Sequence, residues 1–167
     1  MCIVCGDKNK AGLKTAFYAL ENGELAAVFT PEDIHQGYPG RLHGGIAASV
    51  LDETMGRAIA VSAGGTVWGV TVDLSLKYRK PVPLGVELKA VGRIEKERGR
   101  MFEGTGEILL PDGSVAVEGK GRYMKLSIQQ ITGGEMDPET DWRVLPSSDD
   151  PQTIDLDTEK PSEPQQP

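Results

Sequence analysis

The stretch Gly40-Arg41-Leu42-His43-Gly44-Gly45-Ile46-Ala47-Ala48-Ser49-Val50-Leu51-Asp52-Glu53 decides how this chain is read. Its twin glycines open a helix whose apolar residues recur at helical spacing, and the same helix carries a carboxylate in its middle. A helix N-terminus leaves backbone N–H groups unpaired and bears a partial positive charge. Gly44 and Gly45 are therefore placed to hold a carbonyl oxygen as it becomes negative, and neither has a Cβ to keep a substrate away. Asp52 follows His43 by nine positions, about two and a half turns at roughly 3.6 residues per turn, and can serve there as a base.

Along this helix Ala47, Val50, Leu51, Thr54, Met55 and Ala58 form the stripe expected to face a core. The adjacent acids differ. Glu53 has Arg57 one turn later, the favourable orientation for an exposed, solvated ion pair. Asp52 has Ala48 and Gly56 one turn to either side and no cation at a helical neighbour; it reads as a catalytic acid or as an exposed polar position in a helix where Asp is a poor former. His43 precedes the first turn and can cap the helix through its imidazole, bind substrate or act as a base.

Outward from the helix the pattern is strand-like. Residues 15–20 and 24–30 are β-prone runs joined at Asn22-Gly23, a hairpin signal. Residues 31–42 read as a long loop. From Trp68 to Tyr78 the even positions are Trp, Val, Val, Leu, Leu and Tyr and the odd ones mostly polar, so one apolar face is expected over the helix. Residues 86–94, 101–110 and 115–126 continue the sheet, with turns at Glu97-Arg98-Gly99 and Pro111-Asp112-Gly113. Strands that follow one another in this way predict a meander in an antiparallel α+β sheet of about six strands around one central helix.

Spaced blocks in this order resemble a known family: Cys2-Ile3-Val4-Cys5-Gly6 with Gly12-Leu13, His35-Gln36-Gly37-Tyr38-Pro39-Gly40, Gly69-Val70-Thr71-Val72-Asp73-Leu74, and Tyr78-Arg79-Lys80-Pro81-Val82-Pro83-Leu84-Gly85, together with His43-Gly44-Gly45. The chain is similar over residues 1–126 to the hotdog-fold acyl-CoA thioesterases, in particular the phenylacetate-pathway (PaaI-like) branch, where HGG opens the central helix and an acid stands nine positions after the His. The resemblance implies hydrolysis of an acyl-CoA thioester, with the Gly44 N–H polarising the carbonyl, Gly45 in support and Asp52 as general base or nucleophile. It implies a homodimer or dimer of dimers with the site across the interface, and no metal or redox cofactor, CoA being part of the substrate. Gln36 is the candidate for the loop Asn or Gln that family members place before HGG. The commoner offset falls on Gly37, and Gln36 is equally an ordinary loop amide. Thr71 matches a Ser or Thr that some relatives supply from the facing subunit, or is simply a β-branched strand residue. A non-catalytic acyl-CoA binding or sensing protein on the same scaffold is the alternative.

The remaining features narrow the class. The 167 residues carry a net charge of −7, but residues 127–167 hold ten acidic and two basic side chains, so the acidity belongs to a Pro-rich tail. That tail reads as largely disordered, with residues 142–145 its one docking point, and as dispensable for chemistry. Residues 1–126 are near neutral, which disfavours nucleic acid. No apolar run approaches the about 18 residues of a membrane span, and residues 1–14 lack the apolar core of a secretory leader, so a cytoplasmic setting is expected. Lys77, Arg79, Lys80, Arg93, Lys96, Arg98, Arg100, Lys120 and Arg122 form either a cationic rim for CoA phosphates or an ordinary solvated sheet face. Cys2 and Cys5 make a CxxC. Two Cys and two His, both His near the proposed site, are a poor set for a structural zinc, so reduced surface thiols are expected.

Overall fold

The structure, a computed structural model, describes residues 1–64 and 66–134; the expected docking point at 142–145 and the tail from 135 onward lie outside them. The elements are β1 (Ala16–Ala19), β2 (Leu25–Phe29), β3 (Gln36–Tyr38), β4 (Arg41–Leu42), α1 (Gly44–Ser62), β5 (Trp68–Tyr78), β6 (Leu88–Arg98), β7 (Met101–Leu109), β8 (Val115–Leu126) and a short α2 (Ile128–Thr132). Six strands form one sheet in the order β1-β2-β6-β7-β8-β5, antiparallel throughout, and α1 lies against it. This is the α+β hotdog arrangement. None of the described helices is long and apolar enough to cross a membrane.

The predicted stripe of α1 is the centre of the core. Ala47, Val50, Leu51, Thr54, Met55 and Ala58 are all buried, and Ala47, Val50, Leu51 and Met55 share one core cluster with Phe29, Leu88, Phe102, Ile108, Val117 and Tyr123 of the sheet. Removing one such large side chain typically costs about 2–5 kcal/mol, so these contacts hold the helix. Close approach also needs glycine. A Cβ on Gly69 would lie 2.7 Å from the carbonyl oxygen of Gly56, which shows how near β5 runs to the second half of α1.

Three expectations are corrected. Residues 31–42 are not simply a loop: a 3₁₀ turn at Asp33–His35 leads into the β3–β4 hairpin, whose turn holds Gly40 at φ 71°. Strands this short carry no readable alternation. The strands after α1 are not one meander either, because β5 pairs with β8 at the sheet edge while only β6, β7 and β8 follow in turn. The proline-containing connection of residues 79–87 is tied instead across the helix start, where Leu42 N–H donates to Val82 O at 3.0 Å and Gly85 N–H to Pro31 O at 2.7 Å.

The third correction shapes the site. The even-numbered face of β5 is interrupted by a bulge at Val72, since Thr71 pairs with Tyr123 and Asp73 with Arg122, leaving Val72 with no partner. One extra residue reverses the alternation. Leu74 and Leu76 pack against the core, whereas before the bulge Gly69 and Thr71 face the helix and Val72 is 52% exposed.

Candidate active site

Asp52 lies half-buried on α1, at the wall of an open hollow of about 400 Å³ whose other walls include Ser49, Gly56, Trp68, Val70 and Thr71. Thr71 Oγ1 donates to Asp52 Oδ1 at 2.7 Å, the short distance of a charge-assisted bond. Tyr123 O–H reaches the same oxygen at 3.3 Å and the Asp52 carbonyl at 3.4 Å. Both donors bind Oδ1. Among the described residues none hydrogen-bonds Oδ2, so one carboxylate oxygen is held and the other is not, in a residue that lines the hollow.

Thr71 thus contacts the acid of its own chain, although it was expected from the facing subunit. The bulge at Val72 is what turns its hydroxyl inward. Tyr123 is fully buried and stacked on Phe102 with ring centroids 4.9 Å apart. Burial, and then the neighbouring Asp52 charge, push its phenol well above the usual range, so it remains a proton donor at any working pH. Sequence reasoning missed Tyr123. Alternation in residues 115–126 marks an inward aromatic, but nothing local says that its hydroxyl meets an acid 71 residues away.

At the start of α1, His43 Nδ1 accepts from Gly45 N–H at 2.9 Å and caps the helix. The two glycines therefore differ. Gly45 has spent its donor internally, while among the described residues the Gly44 N–H has no partner. Gly44 lines a second hollow of about 420 Å³ with Arg41, Ala47, Tyr78, Arg79 and Lys80. Its carbonyl accepts from Tyr78 O–H at 2.7 Å, a contact the sequence did not suggest. Gln36, on β3, accepts from Gly40 N–H at 3.3 Å and so closes its own hairpin; it is not brought to Asp52. His35, the other histidine, is structural: Glu32 N–H donates to its Nδ1, and its Nε2 lies 3.1 Å from Ala11 O.

Gly44 and Asp52 do not meet within one chain. Eight residues at a rise of about 1.5 Å put them roughly 12 Å apart along the helix, and the two hollows share no lining residue.

The neighbouring acid also differs from expectation. Arg57 is 8% exposed, not solvated: its guanidinium lies over the rings of Phe17 and Trp68 at 4.6 and 5.4 Å, and its Nε donates to Glu53 Oε1 at 2.8 Å. Two aromatic faces and a carboxylate compensate the loss of water around it. Of the expected cationic rim, Arg93 is committed to Glu24 and Glu107, Arg122 pairs with Asp73, and Lys120 with Glu103.

Comparison with known proteins agrees with this architecture. A family model described as the thioesterase superfamily matches residues 39–117. The acyl-coenzyme A thioesterase THEM4 of Xenopus laevis is 30% identical over 111 residues, 66% of this chain and 49% of that protein. Human acyl-coenzyme A thioesterase 13 is 26% identical over 103 residues, 62% of this chain and 72% of that protein. The chain therefore spans about half the length of the THEM4 relative. Among solved structures, a thioesterase superfamily protein has 33% identity and a TM-score of 0.65, covering 71% of this chain and 60% of that one. The E. coli PaaI protein shares the fold at 15% identity with a TM-score of 0.62, covering 69% and 81%. In sequence and in fold, the chain is thus similar to the thioesterase superfamily.

Proposed function

We propose that this protein hydrolyses acyl-CoA thioesters in a homodimer, each active site combining Gly44 of one protomer with Asp52 and Thr71 of the other. The reading rests on Asp52, which lines an open hollow and has Oδ1 held by two hydroxyls while Oδ2 takes no hydrogen bond from the described residues. In the proposed reaction the thioester oxygen accepts from the Gly44 N–H, aided by the positive end of α1. Asp52 Oδ2 takes a proton from water, the hydroxide oxygen bonds to the carbonyl carbon, and the tetrahedral intermediate collapses with loss of CoA as its thiol. Attack by Asp52 itself, giving a mixed anhydride that water then opens, uses the same groups. Neither route needs a metal or redox cofactor.

The two-chain arrangement is supported by the separation of the half-sites and by the edge of the sheet. β5 is a terminal strand of 11 residues, with Val72 and Tyr78 exposed at 52% and 55%. A long edge with apolar side chains invites pairing with its own copy about a two-fold axis. Arg41 and Lys80 beside the Gly44 hollow suit the phosphates of CoA, while Arg79 there is paired with Glu118. Sedimentation of the purified protein separates a dimer from a dimer of dimers.

Incubation with a panel of aryl and fatty acyl-CoAs, following free thiol, tests the reaction. Turnover with at least one member is expected; tight binding with no thiol release from any of them would instead support an acyl-CoA binding module. Thr71→Val should lower kcat by about 10- to 100-fold, since a hydrogen bond to a charged group is worth about 1.5–3 kcal/mol. Tyr123→Phe removes a longer bond and should cost about 1 kcal/mol, or roughly fivefold. An unchanged rate in Thr71→Val would remove that residue from the chemistry.

A further inference from the structure

We propose that Cys2, Cys5 and Glu53 form a binding site for one thiophilic divalent cation, Zn²⁺ by chemistry, distinct from the hydrolytic groups. The two sulfurs and a Glu53 carboxylate oxygen all lie within 4.8 Å of one another. A tetrahedral ion with Zn–S of about 2.3 Å holds its ligands roughly 3.7 Å apart, so the three atoms need only a small inward shift. Neither histidine takes part, since His35 and His43 are engaged elsewhere. Water completes the four ligands. Cys and His alone are too few to hold zinc in this sequence; the third ligand is a helix carboxylate 48 residues beyond Cys5, which only the fold delivers.

The loop carrying the thiols is already shaped for the task. Val4 N–H donates to Cys2 Sγ at 3.3 Å and Gly6 N–H to Cys2 O at 3.1 Å, and a Cβ on Gly6 would lie 2.5 Å from Cys2 N, so the tight return requires glycine. Asn9 Nδ2 holds Met1 O and Cys2 O at 3.1 and 3.3 Å, while Leu13 N–H and Thr15 N–H tie the loop to Ile3 O and Val4 O, both at 2.9 Å.

The surroundings balance the charge. Two thiolates and a carboxylate bring three negative charges against two on the cation, and Arg57 supplies the remaining positive one. Arg57 Nη2 donates to Cys5 Sγ at 3.1 Å and its Nε to Glu53 Oε1 at 2.8 Å, the position of an outer partner that orients ligands. Glu53 Oε2 accepts from Cys2 S–H at 3.1 Å. On binding, the cation replaces that proton and the one on Cys5, and both are released to solvent. Because Cys2, Ile3 and Val4 also wall the Asp52 hollow, the ion would fasten one side of it.

The test uses the full chain, freed of metal with a chelator and kept under a phosphine reductant, then titrated with Cd²⁺ and Co²⁺. Thiolate-to-metal charge-transfer absorption should saturate at one ion per chain, and a separate sample of the stripped protein loaded with Zn²⁺ should retain one ion per chain by elemental analysis after gel filtration. Cys2→Ser and Cys5→Ser should abolish both signals, with folding followed by circular dichroism. Glu53→Gln should weaken binding by at least about tenfold, the scale of losing one contributing group. Absence of the absorption band and of retained metal in the wild-type protein would overturn the proposal. So would equal affinity in folded Glu53→Gln, which would reduce the site to an ordinary dithiol. None of these readouts depends on hydrolysis.

Discussion

Asp52→Asn is expected to lower kcat by about 10²- to 10⁴-fold, the range that a positioned general base contributes. The substitution is nearly isosteric, and the Asn carbonyl oxygen can still accept from Thr71 and Tyr123, which hold Oδ1 at 2.7 and 3.3 Å. What disappears is the ability of the second oxygen to take a proton. The folded state should therefore persist, with little change in thermal midpoint, while thiol release collapses. Near-normal turnover would show that the held carboxylate only supports the helix–sheet contact.

Gly44→Pro should reduce kcat by about 10²- to 10³-fold, the cost of removing one oxyanion donor. This is a clean deletion of an N–H because Gly44 is the first helical residue, where proline is tolerated. The residue before a proline must be extended, and His43 already is, at φ −63° and ψ 133°. Co-expression of the two inactive variants then discriminates between one-chain and two-chain sites. In a hybrid dimer, Gly44 of the Asp52→Asn chain meets Asp52 of the Gly44→Pro chain, so one site of two is intact. Random pairing should restore about a quarter of the wild-type rate in a two-fold dimer. A site built within one chain would recover nothing, and that outcome would refute the shared arrangement without touching the identity of the base.

Much of this site was legible because it is periodic. Helical spacing in residues 44–58 predicts both the buried stripe and the position of Asp52 outside it, since 3.6-residue periodicity is a property of the local chain. The hairpin at Asn22-Gly23 was readable for a similar reason: Gly23 adopts φ 84°, which glycine accepts without steric cost. The order of the sheet was not. Pairing of β5 with β8 over an intervening hairpin depends on burial against α1, which no local rule encodes.

The bulge at Val72 marks the boundary between the two kinds of information. Alternation predicts one apolar face for residues 68–78, but a single unpaired residue reverses that face, and whether it is inserted depends on the partner strand. With it comes the Thr71–Asp52 bond. The burial of Arg57 and the approach of Tyr123 to Asp52 belong to the same class, because each rests on contacts between residues far apart in the chain. The residues alone determined that a glycine-started helix would bear an acid and pack in an antiparallel sheet, since these follow from backbone geometry and hydrophobic period. Tertiary structure decided that the acid would be held by Thr71 and Tyr123, because only long-range packing brings those two hydroxyls to one carboxylate oxygen.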